Sequence, residues 1–445
     1  MITNMTEGKA SRVLLRFALP MLLSVLFQQF YSIADSVIAG RFIGADALAA
    51  VGASYPVTMI FMSVASGLSI GISVVVSRLF GGARIGEMKT CVSTALVTAG
   101  TTALVMTAAG VLFCRKILRL LDTPEKIMGD SALFLGVFVL GLLFLMLYNA
   151  CNGIFTALGD SRTPLFFLIA SSVGNVLLDL LFVGVVGMGV AGVAWATFIA
   201  QGVCSVLSFF TLLRRLRRME NDELPDRFSA QMLNRISRIA IPSILQSSFV
   251  SVGNLFIQTR INSFGTDVIA GFSAALKINT LTLMCFGMVS NAVSSFTAQN
   301  LGAGKPARVR EGTRASMKIA FLIGIPFAAA TFFFGKPLTG LFLDGDNEAI
   351  LNVGGTFLHI VAPFYLAILI KIVLDGVLRG AGIMNLFMIA TLADLVLRVA
   401  FAFILSSFLR ETGIWLSWPV GWVTAMVLTV SFYFASMKKI ALPEA

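Results

Sequence analysis

Charged residues are scarce in this chain of 445 residues: Asp, Glu, Lys and Arg make up 12% of it, about half their share in soluble globular proteins. With 57% hydrophobic residues and a mean hydropathy of +0.91, that scarcity excludes a soluble domain and leaves an integral membrane protein. Histidine occurs once, at His359, and the five cysteines (Cys91, Cys114, Cys151, Cys204 and Cys285) are odd in number and form no CxxC. Neither a disulfide framework nor a cysteine metal centre is expected from that pattern. No Walker A sequence, GxSxG or zinc spacing is present, so the chain is read as neither ATPase nor hydrolase, with no enzymatic role and no resident cofactor. The net charge of +11 requires no nucleic acid. Basic residues retained on the cytoplasmic side, facing anionic membrane lipids, leave the same excess.

What the chain has is apolar runs long enough to cross a bilayer. Twelve of them are bounded by charges or Gly/Pro clusters, at 13–39, 47–76, 90–113, 130–157, 163–185, 189–213, 235–263, 269–298, 315–335, 350–377, 384–408 and 413–436. The spacing predicts an all-α polytopic protein of twelve transmembrane helices. The first run lacks a small-residue cleavage site and is read as a retained span. One strongly hydrophilic stretch, 214–238, separates the sixth run from the seventh. The expected organisation is a six-helix bundle over 1–213, a cytoplasmic linker over 214–234 and a second six-helix bundle over 235–445. With the N-terminus inside, 22 of the 33 Lys and Arg fall on inside segments and 8 on outside loops. This bias places both termini in the cytoplasm.

The two halves repeat. Phe17-Ala18-Leu19-Pro20 returns as Ile239-Ala240-Ile241-Pro242 after 222 residues, and Gly44 and Asp46 match Gly265 and Asp267 at 221. Phe80 to Arg84 match Leu301 to Lys305 at 221, and Asn152-Gly153 match Asp375-Gly376 at 223. So small a drift marks a duplication. Six spans per half give the halves the same topology, related by a pseudo-twofold along the membrane normal. That layout suits an alternating-access transporter.

Polar side chains inside these spans must face protein or water. Ser24, Gln28, Tyr31 and Asp35 form a stripe along the first span, and Asn175 and Asp179 lie one turn apart in the fifth, with Thr197 in the sixth. An intramembrane carboxylate is costly and points to function. Asp35, Asn175, Asp179 and Thr197 together offer hard oxygen ligands for Na⁺, or a pair of acids sharing a proton. The matching stripe of the second half, Ser243, Ser247, Ser251, Asn254 and Gln258, holds no acid, which places charge coupling in the first half. Of the second half's intramembrane charges, Lys371 with Asp375 and Asp394 with Arg398 are spaced for neutralisation within one helix. Lys277 has no local partner and is expected to line the cavity. His359 is a candidate proton relay. Gln28, Tyr31, Ser32, Asn254, Gln258 and Lys277, with the adaptable Met284 and Met288, form the expected substrate cavity.

Taken together, Pro20 to Asp35, Leu79-Phe80-Gly81-Gly82-Ala83 with Asn300-Leu301-Gly302-Ala303-Gly304, Ala157-Leu158-Gly159-Asp160-Ser161-Arg162, and Leu378-Arg379-Gly380 resemble the multidrug and toxic compound extrusion (MATE) family over essentially the whole chain. The resemblance implies two six-helix bundles in the plasma membrane of a bacterial-type cell. It implies efflux of cationic amphipathic compounds in exchange for H⁺ or Na⁺, with the cation held by Asp35, Asn175, Asp179 and Thr197. A monomer is expected. Some members carry a glutamate in the seventh helix and an aspartate early in the tenth; this chain has no acid in its seventh span, and Asp375 stands too close to Arg379 to be that aspartate.

Two alternatives are weighed. A flippase for lipid-linked precursors would need a cavity rich in Arg and Lys, and only Lys277, Lys371 and Arg398 are intramembrane. A cation channel or a non-transporting receptor has no need of duplicated halves with buried acids.

Overall fold

The structure is a computed structural model that describes residues 3–219, 225–343 and 347–441, without the side chains of 33–37, 39–41, 45–48 and 439–441. Among the described residues every regular element is helical. Thirteen α-helices follow one another: α1 (Ala10–Phe42), α2 (Ala45–Gly81), α3 (Ile85–Leu120), α4 (Glu125–Leu140), α5 (Leu142–Ala157), α6 (Arg162–Asp179), α7 (Val190–Arg217), α8 (Ala230–Asn262), α9 (Thr266–Gly302), α10 (Pro306–Gly340), α11 (Glu348–Val361), α12 (Tyr365–Gly380) and α13 (Met384–Ala441). The physical reason is that hydrocarbon leaves a backbone no external partner, so each span must bond to itself.

These thirteen helices account for the twelve expected spans. The fourth span is α4 and α5, bent by 47° at Gly141. The tenth is α11 and α12, joined through a 3₁₀ turn at Ala362–Phe364 that contains Pro363. Conversely, the last two spans run together as α13, which is divided at Arg410 by a non-helical backbone. Several helices outrun the apolar stretches that announced them. The last two turns of α3 carry Arg115, Lys116 and Arg119, and α7 takes in Arg214, Arg215 and Arg217.

The helices gather into two compact units. Unit 1 is Met1–Asn4 with Leu19–Ile244, and unit 2 is Met5–Ala18 with Leu245–Ala445. In unit 1, the described linker residues are pinned to the start of α3. Asp226 N–H donates to Thr90 Oγ1 and Ser229 N–H to Thr94 Oγ1, each at 3.0 Å, while Lys89 Nζ donates to Met219 O. In unit 2, the fully buried Met5 donates its N–H to Gln299 Oε1 (2.9 Å), and its carbonyl accepts from Asn300 and Arg308.

Close helix contact recurs at matched glycines. In unit 1 a Cβ on Gly153 would lie 2.6 Å from the Ser69 carbonyl oxygen, and in unit 2 one on Gly376 would overlap the Ser290 carbonyl oxygen. The core of unit 2 is aromatic: Phe272 stacks on Trp415 at 4.9 Å, and Phe357 meets both Trp415 and Trp418 edge-on. Outward faces carry Phe30, Leu112, Leu322, Phe333 and Phe408, the exposure expected of lipid-facing surface.

Candidate functional site

The apolar face of α6 is interrupted on one side by Asn175 and Asp179. One turn apart, they point into unit 1 and are 3% and 0% exposed. α7 brings Thr197 against them, and α1 brings Tyr31. With the Asn175 amide oriented to satisfy both its ends, Nδ2 donates to Asp179 Oδ2 (3.0 Å) and to the Tyr31 hydroxyl (2.8 Å), and Oδ1 accepts from the Thr197 backbone N–H (3.0 Å). Thr197 Oγ1 lies 3.4 Å from the same amide terminus. Three helices therefore meet at the Asn175 amide, which donates to the buried Asp179 carboxylate.

Directly after Asp179 the helix widens into a π-helical turn, Leu180–Val185, and the chain then reverses through Gly187 and Gly189. Such widened turns are rare and concentrate at functional sites, because they re-aim the adjoining side chains and loosen the hydrogen-bond ladder. No run of residues in the sequence announces this turn. Its neighbour Gly192 offers an indirect signal, since a Cβ there would sit 2.9 Å from Val183 and 3.2 Å from Phe182.

Of the four residues expected to hold a cation, Asn175, Asp179 and Thr197 are brought together. Asp35 lies in α1, but its side chain falls outside the described residues. Tyr31, expected in the substrate cavity, also bonds to Asn175 through its hydroxyl; its place one turn from Asp35 in the polar stripe was the available signal. Gln28 and Ser32 are exposed in unit 1. In unit 2, Asn254 is exposed, Gln258 donates to Asn262 at 2.8 Å, and Met284 and Met288 lie one turn apart on α9. Lys277 is exposed with its ammonium 5.4 Å from the Phe342 ring. His359 stacks on Phe332 at 4.0 Å.

The chemistry this set allows is ion binding. Among the described residues no three His, Cys, Asp or Glu side chains group to hold a metal. A Na⁺ ion would rely on Asp179 with amide and hydroxyl oxygens, a set of hard donors that suits it. A proton would need only the carboxylate. In the arrangement present, the Asn175 amide hydrogens, not its oxygen, face Asp179.

A second polar centre closes the start of α6. Asp160 is 1% exposed; its Oδ1 accepts from the Arg162 and Thr163 backbone N–H groups, and its Oδ2 accepts from Thr163 Oγ1 and from Arg215 of α7. Burial alone pushes this carboxyl up, but the hydrogen bonds from Arg215 and Thr163 outweigh it and hold it below the ordinary carboxylate range. The Arg215 guanidinium also lies 5.3 Å from the centre of the Phe155 ring.

Unit 2 has buried charges of its own. Lys371 Nζ is 2.7 Å from Asp375 Oδ2 and donates to Thr391 Oγ1 at 3.1 Å, while Thr429 Oγ1 donates to Asp375 Oδ1 at 3.3 Å. Arg379 donates to Ser290 Oγ and Asn291 Oδ1, each at 3.0 Å. Asp394 and Arg398 approach to 3.9 Å, too far for a hydrogen bond.

Comparison with known proteins adds three findings. The MatE family model matches residues 20–181 and 242–404. The chain is 29% identical over 399 residues to the probable multidrug resistance protein YpnP of Bacillus subtilis, covering 89% of each, and 27% identical over 348 residues to a FAD transporter of Shewanella oneidensis, covering 76% of each. Its fold superposes on the outward-facing conformation of a multidrug resistance MATE family transporter with a TM-score of 0.93 and 22% identity, over 99% of this chain and 98% of the other.

Proposed function

This chain belongs to the MatE family, and on that footing we propose that it is a multidrug efflux antiporter, exporting cationic amphipathic compounds from the cell in exchange for H⁺ or Na⁺. The observation that carries this reading is the carboxylate of Asp179, buried inside unit 1 with Asn175 and Tyr31. Burying a charge is costly, so an acid kept there is expected to exchange a cation with it. Asp35 is assigned to the same site from its place in the stripe. Substrate contact is assigned, unit by unit, to Gln28, Tyr31 and Ser32 in unit 1 and to Asn254, Gln258, Lys277, Met284 and Met288 in unit 2. The excess of Lys and Arg on alternate loops supports cytoplasmic termini.

Coupling requires that the cation and the drug bind the same conformation with unequal affinity, and the drive available is no larger than that difference. Drug efflux from proteoliposomes under an imposed pH gradient, or an imposed Na⁺ gradient, tests the reading. One gradient drives the wild type, and Asp179→Asn cuts the driven rate ~10–100-fold, the range of ordinary coupling energies. If neither gradient moves a cationic drug, the antiport reading is wrong.

The identity to the FAD transporter favours a second reading, an anionic dinucleotide as cargo. FAD loaded into the same vesicles distinguishes the two.

A further inference from the structure

The duplication can be followed residue by residue into the place where unit 1 holds its buried acid. Along α6 and the first part of α13 the offset is 223. Gly159 (φ +74°) falls on Gly382 (φ +77°), and the exposed Val173, Leu181 and Val185 fall on the exposed Val396, Ile404 and Phe408. Past the turn the offset becomes 221. Gly189 (φ 59°, ψ −140°) falls on Arg410 (φ 53°, ψ −140°), and both Gly192 and Gly413 sit where a Cβ would crowd the preceding segment.

At these offsets Ser171 becomes Asp394, Asn175 becomes Arg398, Asp179 becomes Ala402, Thr197 becomes Trp418 and Ala200 becomes Gly421. The contacts carry over with the register. Ser171 Oγ meets Ala200 O at 3.4 Å, and Asp394 Oδ1 lies against Gly421, which has no room for a Cβ. Asn175 meets Thr197, and the Arg398 guanidinium lies 4.6 Å from the centre of the Trp418 ring. In α8, at the offset of 222 set by Pro20 and Pro242, Asp35 corresponds to Ile257. Tyr31 corresponds to Gly253, whose missing side chain leaves space taken by Leu395. Both acids and the phenol of the unit 1 set are thus absent from the counterpart, and a guanidinium is present instead.

We propose that Arg398 is a tethered cation: its guanidinium fills the unit 2 counterpart of the ion site, so that exchange of a free cation is confined to unit 1. The inference rests on the antiport reading for what unit 1 exchanges, but not for what Arg398 does. A pair built only for mutual neutralisation would be hydrogen-bonded. Here Arg398 Nε and Asp394 Oδ1 stand 3.9 Å apart, and both atoms are buried without a hydrogen-bond partner. The guanidinium instead faces the Trp418 ring, an arrangement that holds a cation by its charge. The other buried charges nearby are Lys371, Asp375 and Arg379 of α12. Lys371 and Asp375 are paired with each other, and Arg379 is bonded to Ser290 and Asn291. Arg398 is therefore the cation left to answer Asp394.

Removing the tether should leave a vacancy shaped for a small planar cation. The thermal unfolding midpoint of purified Arg398→Ala protein, measured with millimolar guanidinium chloride and with choline chloride at equal ionic strength, tests this. The expected result is a midpoint several degrees below wild type that guanidinium restores and choline does not, with wild type and Arg398→Lys gaining nothing from guanidinium. If Arg398→Ala does not survive purification, guanidinium is included throughout, and recovery of monodisperse protein with it and not with choline counts as the same result. Failure of guanidinium to restore or recover the variant overturns the proposal, as does an Arg398→Leu protein as stable as wild type. Because the readout is stability, the proposal can fail while gradient-driven efflux succeeds, and it can hold in a protein that moves no drug.

Discussion

Units 1 and 2 use the same helix contacts around opposite chemistry. Where backbones touch, the two agree: Gly153 on Ser69 and Gly376 on Ser290 leave the same absence of space. Where a side chain reaches into the bundle they part, with Asn175 and Asp179 answered by Arg398 and Ala402. Backbone contact tolerates almost no change in volume, whereas an interior pocket can be refilled by a different set of side chains that suits its charge. The duplicated frame therefore fixes where an ion site can be, and the side chains decide whether the ion is exchanged or built in.

The comparison is sharpest at the start of α6, where a stabilising cluster exists in one unit only. Asp160 and Arg215 correspond to Ile383 and Ser436 in unit 2. Asp160→Ala strips acceptors from two backbone amides and leaves Arg215 without its carboxylate. Arg215 is a quarter exposed and can be partly solvated when its partner is lost. The cost therefore falls at or below the buried-pair range, at about 3 kcal/mol, which is the largest stability change expected here. Hydrogen exchange should show α6 and α7 opening more readily and the last part of α13 unchanged; equal loosening in both units would break the comparison. The pH dependence has a definite sign. A carboxyl whose folded pKa is lowered stabilises the fold above its unfolded pKa, near ~4, and that stability is lost as pH falls through the lower folded value. Asp160→Asn should flatten the acid side of the stability curve below pH ~4 and leave neutral pH behaviour set by the lost ion pair.

Much of this was legible in the sequence, for identifiable reasons. The apolar runs announce the spans because hydrocarbon forces helices. Asn175 and Asp179 stood out because their spacing gives one face and their surroundings give the cost. Other features left weaker traces. The π-helical turn at Leu180–Val185 has no composition of its own, and Tyr31 looks the same in a stripe whether it faces a cavity or an amide. The contrast between Asp394–Arg398 and Lys371–Asp375 could not be read at all: both are acid and base one turn apart, and only packing sets one pair at 2.7 Å and the other at 3.9 Å. That packing comes from residues far away in the chain, Trp418 and Gly421 for one pair and Thr391 and Thr429 for the other.

The shared glycine contacts provide the next test. Gly153→Ala and Gly376→Ala each push a methyl group against a backbone carbonyl, an atom that cannot turn away as a side chain can. Overpacking of this kind costs about 1–3 kcal/mol. Parallel losses in thermal stability would confirm that α5 on α2 and α12 on α9 are one contact used twice. A large loss at one site and none at the other would show that the units have relaxed apart even in their frame.

The smallest expected effect lies at Arg410. Its backbone (φ 53°, ψ −140°) repeats that of Gly189 (φ 59°, ψ −140°), and a side chain there is strained where glycine is free. Strain of this kind amounts to about 1–3 kcal/mol, and the greater unfolded-state freedom of glycine cancels part of any relief, so Arg410→Gly should stabilise by about 1 kcal/mol. The Arg410 side chain is exposed, with an ion-pair contact of 3.5 Å to Glu411; a pair so placed contributes little and should not reverse the sign. A rise of a degree or two in the unfolding midpoint, matched by no gain in Arg410→Ala, would show that the backbone conformation alone sets the effect. A fall in Arg410→Gly would mean that the turn in unit 2 is held by its arginine, and that the two turns share a shape for different reasons.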